Sequence, residues 1–142
     1  MKDLINKFSK RYGSNSDNWD WNNISLYYNL SEDLIREFQY KVKWNYISSY
    51  QKLSEDFIRE FQYKVNWYHI SSYQNLSGEF IKEFKDKVDF ERLFQNIYCP
   101  IDIKAEYIRK NVTKEDPSIH SIEEVIEKKD NSLEELKRLV GV

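Results

Sequence analysis

Residues 44–65 read WNYISSYQKLSEDFIREFQYKV, and the segments that begin at Trp21 and Trp67 follow the same pattern. The three tryptophans are 23 residues apart. The shared pattern is W-x-x-I-S, then a tyrosine, then L-S-x-x-(L/F)-I-(R/K)-E-F-x-x-K-V. A fixed period of this length is typical of stacked supersecondary units. The stretch from Trp21 to Val88 therefore predicts a tandem repeat.

Each repeat divides into two short predicted helices. Helix A begins at the tryptophan, and its apolar positions are the tryptophan, the isoleucine three residues later and the tyrosine six residues later. Asp20 and Asn66 are good N-caps for helix A, whereas Lys43 is a poor one. The regular place of the tryptophans favours a role in the core over a stacking platform for bases or sugars.

Helix B begins at a serine that caps free backbone N–H groups, and acidic residues follow in its first turn. Its apolar residues have helical spacing, which predicts a buried stripe. In the first repeat these residues are Leu34, Ile35, Phe38 and Val42. Glutamate and lysine stand four residues apart in each copy, as predicted i,i+4 ion pairs: Glu37–Lys41, Glu60–Lys64 and Glu83–Lys87.

The two ends of the array differ from the regular repeat. Residues 2–12 have the apolar spacing of a lone helix B, which indicates an N-terminal cap. A fourth, degenerate copy begins at Asp89, and Cys99-Pro100 interrupts the period. Beyond it the sequence predicts a helix capped by Asp102 and two helices that begin at Ser121 and Ser132. We therefore predict an all-α fold: a short α-solenoid in residues 1–98 and an irregular helical C-terminal part in residues 99–142.

Composition argues against several classes of function. The charged residues are 32% of the chain, yet the net charge is only −2, which disfavours a strongly basic nucleic-acid binder. The serines that begin helix B recur without a histidine, so capping explains them better than nucleophilic catalysis. His69 and His120 share no metal-ligand motif, and Cys99 has no paired base in the sequence. We expect no enzymatic activity, no metal and no cofactor.

The expected location is the interior of a cell. A single cysteine excludes an intramolecular disulfide and fits a reducing compartment. No apolar run approaches membrane-spanning length, and the first four residues do not begin a signal peptide. We therefore expect a cytoplasmic protein that has no membrane contact.

Side chains off the buried stripe of helix B predict a partner-binding surface. With about 100° per residue, Tyr40 and Tyr63 point away from the core, and Arg36 and Arg59 stand one turn before them, where each could stack on its tyrosine. Tyrosine and arginine are enriched at the anchors of protein interfaces. Helix A adds candidates at its variable positions, namely Tyr46, Tyr68 and Lys52. The alternative is that the tyrosines only cover a neighbouring repeat.

The repeat resembles short tandem repeats in proteins of large DNA viruses of amoebae, phages and other mobile elements. The resemblance covers Trp21 to about Phe94, roughly half of the chain. It implies a helical array encoded by a virus or mobile element, and it supplies no catalytic or ligand-binding residue. Small non-enzymatic proteins in that setting often clamp a host factor, including defence nucleases such as CRISPR effectors.

These observations favour a non-enzymatic repeat protein that binds another protein, plausibly as an inhibitor that occludes a host effector. The rival hypothesis is a nucleic-acid-binding repeat protein, since tyrosine, arginine, lysine and asparagine can read single strands. The low positive charge disfavours that hypothesis, because phosphate neutralisation usually supplies much of the affinity. A third hypothesis is a structural repeat that assembles with itself.

Overall fold

The computed structural model describes the backbone of residues 2–115 and the side chains of residues 2–109. Within this range every regular element is helical and no strand is present. The helices are α1 (Lys2–Tyr12), a 3-10 turn (Ser16–Asn18), α2 (Trp21–Tyr27), α3 (Glu32–Glu37), α4 (Trp44–Tyr50), α5 (Glu55–Glu60), α6 (Trp67–Tyr73), α7 (Gly78–Glu83), α8 (Phe90–Gln95) and α9 (Ile101–Glu115). His120 and the predicted helices at Ser121 and Ser132 lie outside the described residues.

The chain divides into two units, Met1–Tyr98 and Cys99–Val142. In the first unit α2, α4, α6 and α8 are the A helices, and α3, α5 and α7 are the B helices. Each A helix packs against the A helix of the next repeat: α2 against α4, α4 against α6 and α6 against α8. The predicted all-α solenoid of helix–turn–helix repeats is confirmed for this unit.

The predicted N-caps of the A helices are confirmed. Asp20 Oδ1 accepts a hydrogen bond from the Asn23 N–H at 3.0 Å, and Asn66 Oδ1 accepts one from the His69 N–H at 3.2 Å. Lys43, the poor cap, makes no side-chain bond to the end of α4. α4 therefore relies more on packing than its neighbours do, since a helix of two turns is not stable alone.

The B helices begin as predicted but end earlier. Ser31, Ser54 and Ser77 accept hydrogen bonds from the backbone N–H three residues later, at 3.3, 3.2 and 3.1 Å. Each helix then stops at its glutamate, and a tight turn follows. In the first repeat the Phe38 carbonyl closes this turn by accepting from the N–H groups of Lys41 and Val42 at 2.8 and 3.1 Å.

This early end makes the prediction of i,i+4 Glu–Lys pairs wrong. Such a pair needs an unbroken helix between its members, and each B helix ends at the glutamate itself. The carboxylates of Glu60 and Glu83 instead bind the arginine of the preceding repeat, and Lys41 pairs with Asp17.

The core lies between the A and B helices. The isoleucines of the A helices and the first two apolar residues of the B helices are completely or almost completely buried: Ile24, Ile47, Ile70, Leu34, Ile35, Phe57, Ile58, Phe80 and Ile81. These positions confirm the predicted apolar pattern of helix B and the isoleucine of helix A.

The tryptophans belong to the core only in part. Trp21 is buried, whereas Trp44 and Trp67 are half-buried. The Trp44 ring packs on Phe61 with centroids 5.1 Å apart, and its Nε1 donates to the Gln39 carbonyl at 3.0 Å. Trp67 repeats both contacts with Phe84 and Gln62. Each indole therefore covers the edge of its own repeat and satisfies a carbonyl at the end of the preceding B helix.

The N-terminal helix closes the first repeat. Phe8 of α1 is fully buried and meets Trp19 and Tyr28 edge-on, with ring centroids 5.5 and 4.9 Å apart. Trp19 is itself buried and donates from Nε1 to the Gly13 carbonyl at 2.7 Å. Gly13 has a φ of 92°, a conformation that favours glycine.

The degenerate fourth copy keeps one A helix. Asp89 caps α8 as its position predicts, and Leu93 is buried at the isoleucine position. The prediction for Asp102 is wrong: α9 already begins at Ile101, so Asp102 lies in its first turn.

Candidate functional site: the exposed tyrosines of the repeat array

Most polar residues of the repeated pattern bind the neighbouring repeat. The serine of W-x-x-I-S is fully buried in all three copies, as Ser25, Ser48 and Ser71. Its hydroxyl accepts a hydrogen bond from the backbone N–H of the residue at the N-cap position of the next A helix: Lys43 at 3.0 Å, Asn66 at 2.9 Å and Asp89 at 2.9 Å. The serine therefore joins consecutive repeats.

A buried amide side chain joins the A helices at their C-terminal ends. Gln74 accepts from the Leu53 N–H at 3.2 Å and donates to the carbonyls of Ser48 and Gln51 at 2.9 and 2.8 Å. Gln51 makes the equivalent three bonds to the first repeat, at 2.8 to 3.2 Å. These two glutamines are not recognised by the sequence reasoning, although their spacing of 23 residues was a usable signal.

Other residues replace the buried glutamine at both ends of the array. Tyr28 stands at the glutamine position of the first repeat, where it packs on Phe8 of the N-terminal helix. Asn96 takes the role after α8, and its Nδ2 donates to the carbonyls of Ser71 and Gln74, both at 2.9 Å. α8 is one residue shorter than the other A helices, so the shorter asparagine serves at this end.

The arginines predicted to bind a partner are engaged within the array. Arg36 donates from Nε to Glu60 of the next repeat at 2.8 Å, and its guanidinium lies 5.0 Å from the centroid of the Phe57 ring. Arg59 makes the same contacts with Glu83 and Phe80. The hydrogen bond to Glu60, aided by the charges of Glu60, Glu32 and Asp33, raises the pKa of Arg36 above its ordinary value. The predicted stacking of each arginine on its own tyrosine is therefore not what the structure shows.

Lysines of the next repeat cover the tyrosines instead. Lys64 Nζ lies 4.0 Å from the centroid of the Tyr40 ring, and Lys87 Nζ lies 4.3 Å from that of Tyr63. The same ammonium groups donate to Gln39 and Gln62 at 2.6 Å. We call Tyr40 and Tyr63 the turn tyrosines, because they lie in the turns that follow α3 and α5.

The turn tyrosines are the most exposed of the large hydrophobic side chains in the described part, at 86% and 89%. Most of the surface of these two rings is therefore in water and does not cover a neighbouring repeat. Asp86 stands at the equivalent position of the third repeat and Asp17 stands 23 residues before Tyr40, so tyrosine occupies this position in the first two repeats alone.

A second set of exposed tyrosines lies on the A helices. Tyr27, Tyr50 and Tyr73, six residues after each tryptophan, are 74%, 64% and 56% exposed. Although the sequence pattern counts them among the apolar positions of helix A, they are not buried, because the buried face of each A helix carries the isoleucine and the serine that follows it. We call Tyr27, Tyr50 and Tyr73 the A-face tyrosines.

Further aromatic side chains surround the A-face tyrosines. The Tyr46 and Tyr50 rings lie 6.3 Å apart, and His69 stacks on Tyr73 at 6.0 Å. Tyr68 meets His69 edge-on at 5.4 Å, and Arg92 of α8 lies over the Tyr68 ring at 4.6 Å. The predicted helix A candidates Tyr46 and Tyr68 thus belong to this aromatic face, and the exposed Lys52 follows α4 near its end.

Other kinds of site have little support in the described residues. Within residues 2–109 no group of three potential metal-ligating side chains comes together. None of the helices in the described part is long and apolar enough to cross a membrane.

The thiol of Cys99 is poorly suited to nucleophilic chemistry, because burial raises its pKa to about 11. We expect iodoacetamide at pH 8 to alkylate Cys99 in the folded protein at least roughly 100-fold more slowly than in the urea-unfolded chain, since an ordinary thiol with a pKa of about 8.5 has far more thiolate. Mass spectrometry of timed samples measures both rates. Equal rates would contradict the burial of the thiol.

A comparison with protein-family models gives no match, and the comparisons with curated proteins and with solved structures give none either.

Proposed function

We propose that this chain is a non-enzymatic helical-repeat protein that binds another protein through its exposed tyrosines. One observation carries the proposal. The serine, glutamine, arginine and glutamate side chains of the repeat are engaged between repeats, yet five tyrosines at repeated positions remain exposed on two surfaces: Tyr27, Tyr50, Tyr73, Tyr40 and Tyr63.

Large aromatic side chains that keep more than half of their surface in water support an interface. A tyrosine offers a wide contact area and a hydroxyl and loses little conformational entropy on binding, so tyrosine is enriched at interface anchors. The helices that carry these tyrosines are joined by buried hydrogen bonds, which favours a surface that is already ordered before the partner arrives. Arg36 and Arg59 bind glutamates of the next repeat, so we assign them a role in holding the repeats together.

The narrower form of the proposal is an inhibitor, encoded by a virus or mobile element, that acts inside a host cell by occluding a host effector such as a CRISPR nuclease. Its support is the resemblance of the repeat to those of large DNA viruses and phages. A rigid docking surface without catalytic groups suits an occluding protein.

The rival function as a nucleic-acid binder has one specific observation in its favour: the turn tyrosines stand beside Lys64 and Lys87. Both ammonium groups already bind glutamine side chains, and the net charge of the chain is −2. A phosphate backbone would need more free positive charge, because counterion release normally drives such binding.

The double variant Tyr40→Ala, Tyr63→Ala tests whether the turn tyrosines are surface residues. We expect thermal unfolding followed by circular dichroism to show a loss of no more than about 2 kcal/mol, since each exposed cation–π contact is worth about 0.5–1 kcal/mol and surface substitutions otherwise change little. We expect the same variant to bind a protein partner more weakly than the unaltered chain. A loss of several kcal/mol would place these rings in the core and contradict the proposal.

A further inference from the structure

The surface formed by the A helices of the three full repeats, α2, α4 and α6, differs in charge from the rest of the chain. Residues 21–29, 44–52 and 67–75 contain a single charged side chain, Lys52, whereas 32% of the whole chain is charged. The exposed side chains of this surface are tyrosines and asparagines with one lysine: Asn22, Tyr27, Asn29, Asn45, Tyr50, Lys52, Tyr68, Tyr73 and Asn75. A solvated face of a repeat protein normally carries mixed charges, so the near absence of charge here needs a reason.

Fold stability does not require this composition. The buried side of each A helix is satisfied by isoleucine, serine and glutamine, and the tyrosines on the other side lie largely in water. Charged residues at these exposed positions would be compatible with the helices and would improve solubility. Tyrosine, asparagine and serine together are the residues with which antibody loops form protein contacts, because tyrosine supplies area and the small polar groups supply adaptable hydrogen bonds.

We infer that the A-face tyrosines, together with Tyr46, Tyr68 and His69, form the main docking site, and that its occupant is the uncharged polar surface of a folded protein. This inference rests on the proposed function and assigns it to one surface. The low charge of the face selects the partner's chemistry. Its cations are Lys52 and, over the Tyr68 ring, Arg92, which are too few to attract a phosphate backbone or a strongly acidic protein. A neutral partner surface would desolvate few charges on covering this face.

The turn tyrosines then lie at the margin of the interface, where their contribution to binding is small. They are flanked by Lys64 and Lys87, so any contact they make should depend on salt. Contacts of the A face should not depend on salt, because neither side carries many charges. Salt dependence therefore separates the two surfaces.

The first experiment identifies the occupant. The full chain is prepared with the photo-crosslinking residue p-benzoylphenylalanine at position 50 on the A face or, as a matched control, at position 63 in the turn, and irradiated in lysate of cells that contain the natural partner. We expect position 50 to give a discrete product that is sensitive to protease, insensitive to nuclease and unchanged in 500 mM NaCl. The cross-linked protein is then identified by mass spectrometry and purified.

The second experiment measures the affinity of that purified protein by isothermal titration calorimetry. We expect Tyr50→Ala with Tyr73→Ala to weaken binding at least about 100-fold, as for two interface anchors, and Tyr40→Ala with Tyr63→Ala to weaken it less than about fivefold. The affinity of the unaltered chain should change less than about threefold between 50 and 500 mM NaCl. Circular dichroism confirms that both double variants are folded.

The possible failures are distinct. A partner captured only from position 63, a larger loss from the turn variant, or a steep salt dependence would overturn the A-face assignment and leave the proposed function standing. A product that nuclease destroys, or one that contains only a second copy of this chain, would overturn both. So would the absence of any protein product from both positions.

Discussion

Replacing Gln74 by leucine is expected to lower the free energy of unfolding by about 3–4 kcal/mol, because the change leaves buried backbone groups without hydrogen-bond partners. Leucine has nearly the volume of glutamine, so the packing is retained and the polar contribution is isolated. The Leu53 N–H loses its acceptor, and the carbonyls of Ser48 and Gln51 lose a donor. Urea denaturation followed by circular dichroism measures the difference.

The matched control is Asn75→Leu, which makes a similar change at the next residue, where the side chain is exposed. We expect that variant to stay within about 0.5 kcal/mol of the unaltered chain. Because Gln74 joins α6 to α4, the Gln74 variant should also weaken the coupling between repeats and broaden the unfolding transition. A loss below about 1 kcal/mol would mean that the amide contributes little to the link between repeats.

Phe57→Ala is expected to cost about 3–5 kcal/mol, as large-to-small changes in a core do. Phe57 is fully buried and lies under three groups: the Trp44 indole, the Phe61 ring and the Arg36 guanidinium, at 6.3, 4.7 and 5.0 Å. Its loss therefore opens a cavity and removes the surface on which the preceding repeat rests its arginine. Denaturant unfolding provides the value.

Two further variants test whether the core is centred on Phe57. Phe57→Leu should cost less than about 1.5 kcal/mol, since Leu34 occupies the equivalent position of the first repeat. Trp44→Ala should cost less than Phe57→Ala, about 2–3 kcal/mol, because Trp44 is half-buried and part of its ring already meets water. If the tryptophan change were the more damaging one, the core would be centred on the indoles.

The function proposed here depends on which repeated residues remain available for a partner. Serine, arginine, glutamate and tyrosine all recur with regular spacing in the array, but the first three bind a neighbouring repeat, about one period away in the chain. Only tyrosine keeps most of its surface in water. Serine, arginine and glutamate thus hold the repeats together, and the exposed tyrosines remain available to bind a partner protein.

The sequence alone determined the local structure. The period of 23 residues, the tryptophan at the start of helix A, the capping serine of helix B and the apolar spacing were enough for the all-α repeat, because caps and periodicity act within one or two turns of chain. The buried isoleucines and the cap geometry followed from the same local rules.

The tertiary structure decided which face of each helix meets a neighbour. A helical wheel gives the angle between Ile24 and Tyr27 but does not say which angles another repeat covers. The apolar pattern of helix A therefore does not distinguish the buried isoleucines from the exposed A-face tyrosines. Arg36 binds Glu60, and Gln51 and Gln74 bind carbonyls in the preceding repeat. The sequence pattern does not predict these contacts, because the partners lie more than 20 residues away in sequence. Contacts at that separation depend on how repeats stack, and no local propensity encodes them.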